Sequence, residues 1–336
     1  MEKKGRKVTR KDVAALAGVS ETIVSYVLNE NRYVKEEKRQ RVLEAVEQLK
    51  YQPNNIARAL HGKGSRQILF VAEELNSGYF PKMVSQMSRD AYEQGYMISL
   101  CESQEVEEFV SRIISRQFDG LFISAAGITD RQLMLLAKTD IPMVVFANRQ
   151  LNCELPQAVL IDTGLYDGSR ECVRYLAASG CRKLIYLDRE GTENVNDMHF
   201  MGFMDQIKEE GLEFTPQQKI SGYKDMEEMK ENLRELLGHD SDVDAIVARY
   251  DDIAAAAMQA AAAVGRKIPE ELSVVGFDND FISEYLTPSL TTVEIQKEEV
   301  GKAAMKALLE QIRGEKPKIK LKFQTKLIFR NSTRII

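Results

Sequence analysis

Residues Val8 to Asn29 read VTRKDVAALAGVSETIVSYVLN, two short apolar-periodic segments parted by Gly18-Val19-Ser20. Thr9 is placed to cap a first helix whose inner face is Val13, Ala14, Leu16 and Ala17, and Gly18, free of a Cβ, ends it. Ser20 caps a second helix with Ile23, Val24, Val27 and Leu28 inward. Left outward are Glu21, Thr22, Ser25, Tyr26 and Asn29, polar side chains a turn apart. A recognition helix needs that arrangement to reach base edges in the major groove. A third helix over Val34 to Leu49, with Val42, Leu43, Val46 and Leu49 inward and Lys38, Arg39 and Arg41 outward, completes a small bundle.

Charge sharpens this reading. The 336-residue chain is acidic overall, at −5, yet residues 1–66 hold 15 Lys and Arg against 8 Asp and Glu, and residues 67–336 hold 31 against 43. A basic module on an acidic body fits phosphate neutralisation with counterion release, and predicts DNA binding that weakens steeply with salt. Lys3, Lys4, Arg6 and Lys7 fit phosphate contact and a solvated tail equally well. After the bundle, Pro53 stops the chain, Asn54 can cap and Gly62 can close a helix of about two turns. Isolated helices below ~12 residues are marginal in water, so this one is expected to order against DNA and a second copy of itself.

From Gln67 onward, apolar segments alternate with helical stretches: 68–72, 97–101, 120–124, 143–146, 184–187, 245–248 and 273–277. The alternation predicts parallel sheets with helices on both faces. A break after Asp162-Thr163-Gly164 and a return through Leu290-Thr291-Thr292-Val293 predict two similar lobes joined by crossing strands. No apolar run approaches the ~20 residues that span a bilayer, and the basic start offers no secretory signal, so a cytoplasmic protein without a membrane partner is expected. Cys101, Cys153, Cys172 and Cys181 show no C-x-x-C spacing, and the chain has three histidines, so neither a disulfide framework nor a metal site is indicated and no cofactor is expected. No G-x-G-x-x-G follows the first strand and no G-x-S-x-G appears, which argues against an enzyme.

The stretches VTRKDVAALAGVSETIVSYVLN and VKEEKRQRVLEAVEQLKYQPNNIARAL resemble the headpiece and hinge of the LacI/GalR family of bacterial transcription regulators. The resemblance covers 8–63 almost without gaps and continues more loosely to about Thr292. It implies an α/β protein: an all-α helix-turn-helix headpiece over 1–52, a hinge helix and linker over 53–65, and a two-lobed, doubly wound, periplasmic-binding-protein-like body over 66–336. The N-lobe would take about 66–162 and 293–322, the C-lobe about 163–292 and 323–336, with the last strands shared. It implies a homodimer on double-stranded operator DNA, probing bases with Glu21, Thr22 and Tyr26 and phosphates with Lys11, Ser20, Ser25, Asn29, Tyr33, Lys38 and Tyr51. In the hinge it implies contacts from Asn54 and Ala57, and Leu60 as the wedge that kinks the central step.

The match departs at Tyr26, where many members have arginine. A phenol offers one polar atom where a guanidinium grips guanine twice, so a shifted half-site preference is expected. Glu21 either accepts from a cytosine amino group or is merely tolerated beside a polyanion. For the cleft, the resemblance implies a small sugar-like effector held by Tyr79, Phe80, Ser124, Asn148, His199, Tyr250 and Asp278, with Tyr79 or Phe80 as a stacking surface and the Asp278 carboxylate accepting from vicinal hydroxyls. Asp278 also suits a turn or helix cap, and His199 a packed core histidine. Two departures fall here: His199 stands where arginine commonly precedes Gly-Phe, and Arg249-Tyr250-Asp251-Asp252 stands where Asn-Asp is expected. The reading is a ligand-controlled repressor without catalytic residues; a solute-binding protein without DNA function is the alternative, and inducer and co-repressor control both remain open.

Overall fold

The computed structural model describes residues 8–29, 32–52, 64–73, 75, 78–104, 106, 108–189, 197–223 and 225–336. It divides into two units, Met1–Ser65 and Arg66–Ile336. The hinge residues Asn54, Ala57 and Leu60 lie outside the described residues, as does the side chain of Asn29.

In the first unit, α1 (Arg10–Ala17), α2 (Glu21–Asn29) and α3 (Glu36–Gln48) form the expected bundle. Thr9 and Asp12 make a reciprocal capping box, Gly18 closes α1 at φ 63°, and Ser20 Oγ accepts from the amide of Ile23 at 3.3 Å. The core is Val13, Ala14, Ala17, Val24, Val27, Val42 and Ala45. Two expected core residues are not in it: Leu16 is 47% exposed and Leu43 40%. Tyr51 departs in the other direction. Its ring belongs to this core and is only 8% exposed, a packing role that the sequence reading did not assign to it.

The second unit contains two six-stranded sheets. The first has the order β11-β5-β4-β3-β1-β2, all parallel, from β1 (Gln67–Ala72), β2 (Met97–Glu102), β3 (Gly120–Ser124), β4 (Met143–Phe146), β5 (Val159–Asp162) and β11 (Lys320–Lys322). The second has the order β12-β10-β9-β8-β6-β7, from β6 (Leu184–Leu187), β7 (Lys219–Ile220), β8 (Ala245–Ala248), β9 (Ser273–Phe277), β10 (Thr291–Ile295) and β12 (Thr325–Ile328), with β12 antiparallel to β10. The consecutive strands of each lobe therefore lie in the doubly wound order 2-1-3-4-5. Strands β3, β4, β6, β8 and β9 begin and end where the apolar runs do, while β5 and the two-residue edge strand β7 were not anticipated. The edge strand β7 is only Lys219–Ile220 and carries Lys219 half-buried.

Helices cover both faces. On the first sheet, α4 (Phe80–Glu93) and α12 (Lys297–Ile312) pack over Ile68, Phe70, Phe122 and Phe146, while α5 (Glu108–Ile114) and α6 (Asp130–Ala137) cover Leu69, Leu121, Ile123 and Val145. On the second, α9 (Met226–His239) and α10 (Asp251–Ala263) cover one face, and α7 (Leu165–Ala178) with α8 (Met198–Glu209) the other. A four-residue helix, α11 (Ile282–Tyr285), follows β9. The chain changes lobe after β5, after β10 and between β11 and β12. Residues 293–295 thus belong to the second lobe, a correction to the expected N-lobe segment: β10 hydrogen-bonds to β9 and β12, and the crossing comes only at Gln296.

Candidate nucleic-acid interface and effector cleft

On α2, capping and the apolar seam fix which side chains face away from the bundle. Glu21 and Thr22 are exposed, and Ser25 and Tyr26 half-buried. Lys11, Ser20 and Lys38 are exposed nearby in sequence, and Tyr33 is 92% exposed. A residue not anticipated joins Tyr26: Arg32 lays its guanidinium over the phenol ring at 5.3 Å and donates to its hydroxyl at 3.4 Å. Nothing in the spacing of Arg32 signals this, since it lies beyond the last turn of α2.

In the body, the carboxyl ends of both sheets supply a polar layer, as doubly wound sheets do at their switch points. Glu73 follows β1, Ser124 ends β3 and Asn148 follows β4. Asp188 follows β6, Arg249 and Tyr250 follow β8, and Asp278 follows β9. The lobes meet through this layer. The Met198 amide donates to the Asn148 carbonyl at 3.1 Å across the lobes, Tyr79 donates to Thr163 Oγ1 at 3.2 Å at the first crossing, and Lys297 Nζ, on the first-lobe helix α12, donates to the Gly78 carbonyl at 2.8 Å within the first lobe. A Cβ at Gly78 would lie 1.7 Å from Asp280 Oδ2, so glycine there lets the first-lobe loop reach the second lobe.

First-lobe groups are mutually satisfied. Ser124 donates to Glu73 Oε2 at 2.5 Å, and Asn148 Nδ2 donates to Ser124 Oγ at 2.9 Å and to Glu73 Oε1 at 3.4 Å. Asn148 Oδ1 accepts from the amide of Ala126 at 2.8 Å. Burial raises the carboxyl pKa of Glu73 despite the hydrogen bond from Ser124. Phe80 is corrected: it is 2% exposed and packs edge-on to Phe70 at 5.3 Å, so it is core and offers no face to a ligand. Tyr79 is also buried, edge-on to Phe80 at 4.6 Å, and only its hydroxyl end reaches the cleft groups.

The second lobe is organised by Arg249, which sequence reasoning registered only as a departure. Its buried guanidinium pairs with Asp197 at 2.7 Å and Asp188 at 3.3 Å, and its Nε donates to the Tyr250 hydroxyl at 3.1 Å. Asp197 also caps α8, accepting from the amide of Phe200 at 3.1 Å. The Tyr250 ring lies 5.3 Å from the guanidinium of Arg189 and 5.5 Å from that of Arg249, so it engages protein cations. His199 is buried edge-on against Phe277 at 4.6 Å, and its Nδ1 has no partner. Burial, then the nearby Arg249, holds its pKa well below the usual histidine range, so the imidazole is neutral.

Asp278 differs from all of these. Its φ of 99° is unusual for a residue with a side chain, and Asn279 follows at 47°. The turn is held by the Asp278 amide donating to the Val293 carbonyl at 2.9 Å and by Asn279 bonding to Thr292 and Glu294. The residue is 3% exposed, and neither carboxylate oxygen has a hydrogen-bond partner. Burial pushes its pKa up to about 6, against the pull of Lys297. Neighbouring Asp251, also buried, accepts from Thr292 Oγ1 at 2.6 Å and the Asp280 amide at 2.7 Å, and burial raises its pKa to about 8.

Comparison with known proteins bears on both faces. Residues 9–54 match the family described as bacterial regulatory proteins, lacI family, and residues 173–333 match the periplasmic binding protein-like domain. The HTH-type transcriptional repressor PurR of Histophilus somni is 29% identical over 335 residues, covering 98% of this chain and 99% of the relative. PurR of Pasteurella multocida is 28% identical, covering 97% and 98%. Among solved structures, the transcriptional regulator CelR in complex with cellobiose aligns at a TM-score of 0.70 and 25% identity over 97% of this chain and all of that one. The lac repressor dimer bound to operator and the anti-inducer ONPF shares the fold at a TM-score of 0.84 and 22% identity, covering 98% and 100%.

Proposed function

We infer, of a chain that belongs to the LacI family of DNA-binding transcriptional repressors, that it acts in the cytoplasm as a homodimer whose hold on a pseudo-palindromic operator is set by a small metabolite in the interlobe cleft. Its named relatives are repressors and not enzymes. The observation that carries the metabolite reading is Asp278: a carboxylate 3% exposed, on a strained turn at a strand end, with both oxygens unpartnered. Buried polar groups without partners are costly, and such a group at a cleft is a binding feature awaiting donors. The Tyr79 and Tyr250 hydroxyls lie within electrostatic reach of it, and their polar atoms, like those of Ser124 and Asn148 at the first-lobe strand ends, already have protein partners. The CelR neighbour holds cellobiose, which supports a ligand of sugar-like size.

On DNA, Glu21, Thr22 and Tyr26 address bases, and Lys11, Ser20, Ser25, Asn29, Tyr33 and Lys38 address phosphates, with Arg32 beside Tyr26 as an additional cation. Leu60, with Asn54 and Ala57, serves as the hinge wedge. A ligand shifts occupancy only through a preference for one lobe arrangement, with couplings of ~1–3 kcal/mol typical. The test is selection of operator fragments from a random pool by the purified protein. The expected result is one preferred palindrome whose affinity falls roughly 10³-fold or more between 50 and 200 mM salt. Tyr26→Arg is expected to move the selected half-site toward a guanine at one position. Retention without sequence preference would overturn the reading.

A further inference from the structure

The charges around the cleft do not balance. On the second lobe stand Asp188, Asp197, Asp251, Asp252, Asp278 and Asp280, and on the first stands Glu73. Against them stand Arg249, Arg189, Lys297 and Arg149, each already engaged, while Lys82 and Lys326 are exposed where they line the same pocket as Asp278. Arg249 bridges Asp188 and Asp197, Arg189 pairs with Asp252, and Lys297 Nζ is bound to the Gly78 carbonyl with Asp280 4.0 Å away. Arg149, buried close to Asp197 in the chain pairing, is tied to Asp130 at 2.7 Å and to the carbonyls of Ala125 and Ile128. His199, where the resemblance leads one to expect arginine, is neutral.

Glu73, Asp251 and Asp278 thus have no ion pair among the described residues, and Asp251, its pKa raised by burial to about 8, is largely protonated at neutral pH and adds no charge. Glu73 and Asp251 are held by neutral donors, and Asp278 by none. All three act on one another's neighbourhood: the Tyr79 and Tyr250 hydroxyls each feel Asp278 and Glu73, and Asp251 feels Asp278. Two neutral hydroxyls would satisfy the lone pairs of Asp278 but leave its charge buried. A protonated nitrogen satisfies both, and hydrogen bonds between ionised partners are roughly twice as strong as neutral ones.

We propose that the effector is a small cation, a molecule of sugar-like size presenting an ammonium or amidinium group to the two unpartnered oxygens of Asp278. This rests on the cleft being the effector site, as inferred above, and narrows the chemistry of what fills it. Glu73 supplies a second acid facing the same space from the first lobe, so a cation favours the arrangement in which both lobes contribute charge.

The experiment is a thermal-shift screen of the full chain at neutral pH against metabolites spanning cationic, neutral and anionic compounds, followed by calorimetry on matched pairs. The pairs are glucosamine with glucose, galactosamine with galactose, and putrescine with 1,4-butanediol. Stabilising compounds are expected to come from the cationic group, each binding at least tenfold more tightly than its neutral twin. Asp278→Asn, which tolerates the positive φ, is expected to erase that tenfold preference while the protein still melts cooperatively. A neutral or anionic compound that stabilises the protein as well as its amine twin overturns the cation and leaves the cleft as effector site. A protein that no compound stabilises removes the cleft reading and this inference together.

Discussion

At the residue scale, the body depends on one guanidinium. Arg249 is buried between two carboxylates, and removing one partner of a buried ionic group leaves the others charged and unpaired. Arg249→Ala is expected to destabilise the body by about 3–5 kcal/mol in chemical denaturation, and adding Asp197→Asn should return part of that loss. An Arg249→Ala protein as stable as the parent would show that the pair is solvated. The residue was visible in the sequence only as a departure, because its partners Asp188 and Asp197 come from separate segments that meet at the strand ends. The burial of the Phe80 and Tyr51 rings was not legible for a related reason. Sequence position places each near a contact surface, but whether an aromatic ring turns into the core or away from it depends on the helices that pack over it.

At the scale of elements, the close approach of α7 and α8 is set by a glycine. A Cβ at Gly202 would lie 2.2 Å from the Tyr166 carbonyl oxygen, a backbone atom that cannot swing aside. Gly202→Ala is therefore expected to cost about 1–3 kcal/mol, read from the denaturation midpoint at unchanged slope, by forcing the two helices apart. The element boundaries themselves were largely legible. Capping chemistry at Thr9, Gly18 and Ser20 and the unbroken apolar runs of β3, β4, β6, β8 and β9 each carry a local physical signal. Leu16 and Leu43 fit the inner-face periodicity and yet stay exposed, since periodicity alone does not fix how wide a helix's buried stripe is.

For the whole molecule, buried acids tie stability to pH. Asp251 and Asp278 have pKa values raised by burial to about 8 and about 6, above their unfolded value of 3.8. The folded body therefore holds these protons more tightly than the unfolded chain, and stability falls as pH rises from about 4 through 6 for Asp278 and through 8 for Asp251, each with a slope of at most ~1.4 kcal/mol per pH unit. The melting temperature of the ligand-free protein is expected to drop between pH 6 and pH 8. Asp251→Asn, whose amide can still bond to Thr292 and accept from the Asp280 amide, should flatten that drop; an unchanged slope would mean that Asp251 is ionised throughout. The sequence by itself determined the helix-turn-helix, the alternation that makes two doubly wound lobes, and the basic module on an acidic body, because periodicity, caps and charge are local properties of the chain. Only the tertiary structure decided which lobe β10 joins, that Arg249 is consumed by Asp188 and Asp197, and that Asp278 is left with two buried oxygens and no partner. Those outcomes depend on which distant segments share a strand end, and a charge is paired or unpaired only once its neighbours in space are fixed.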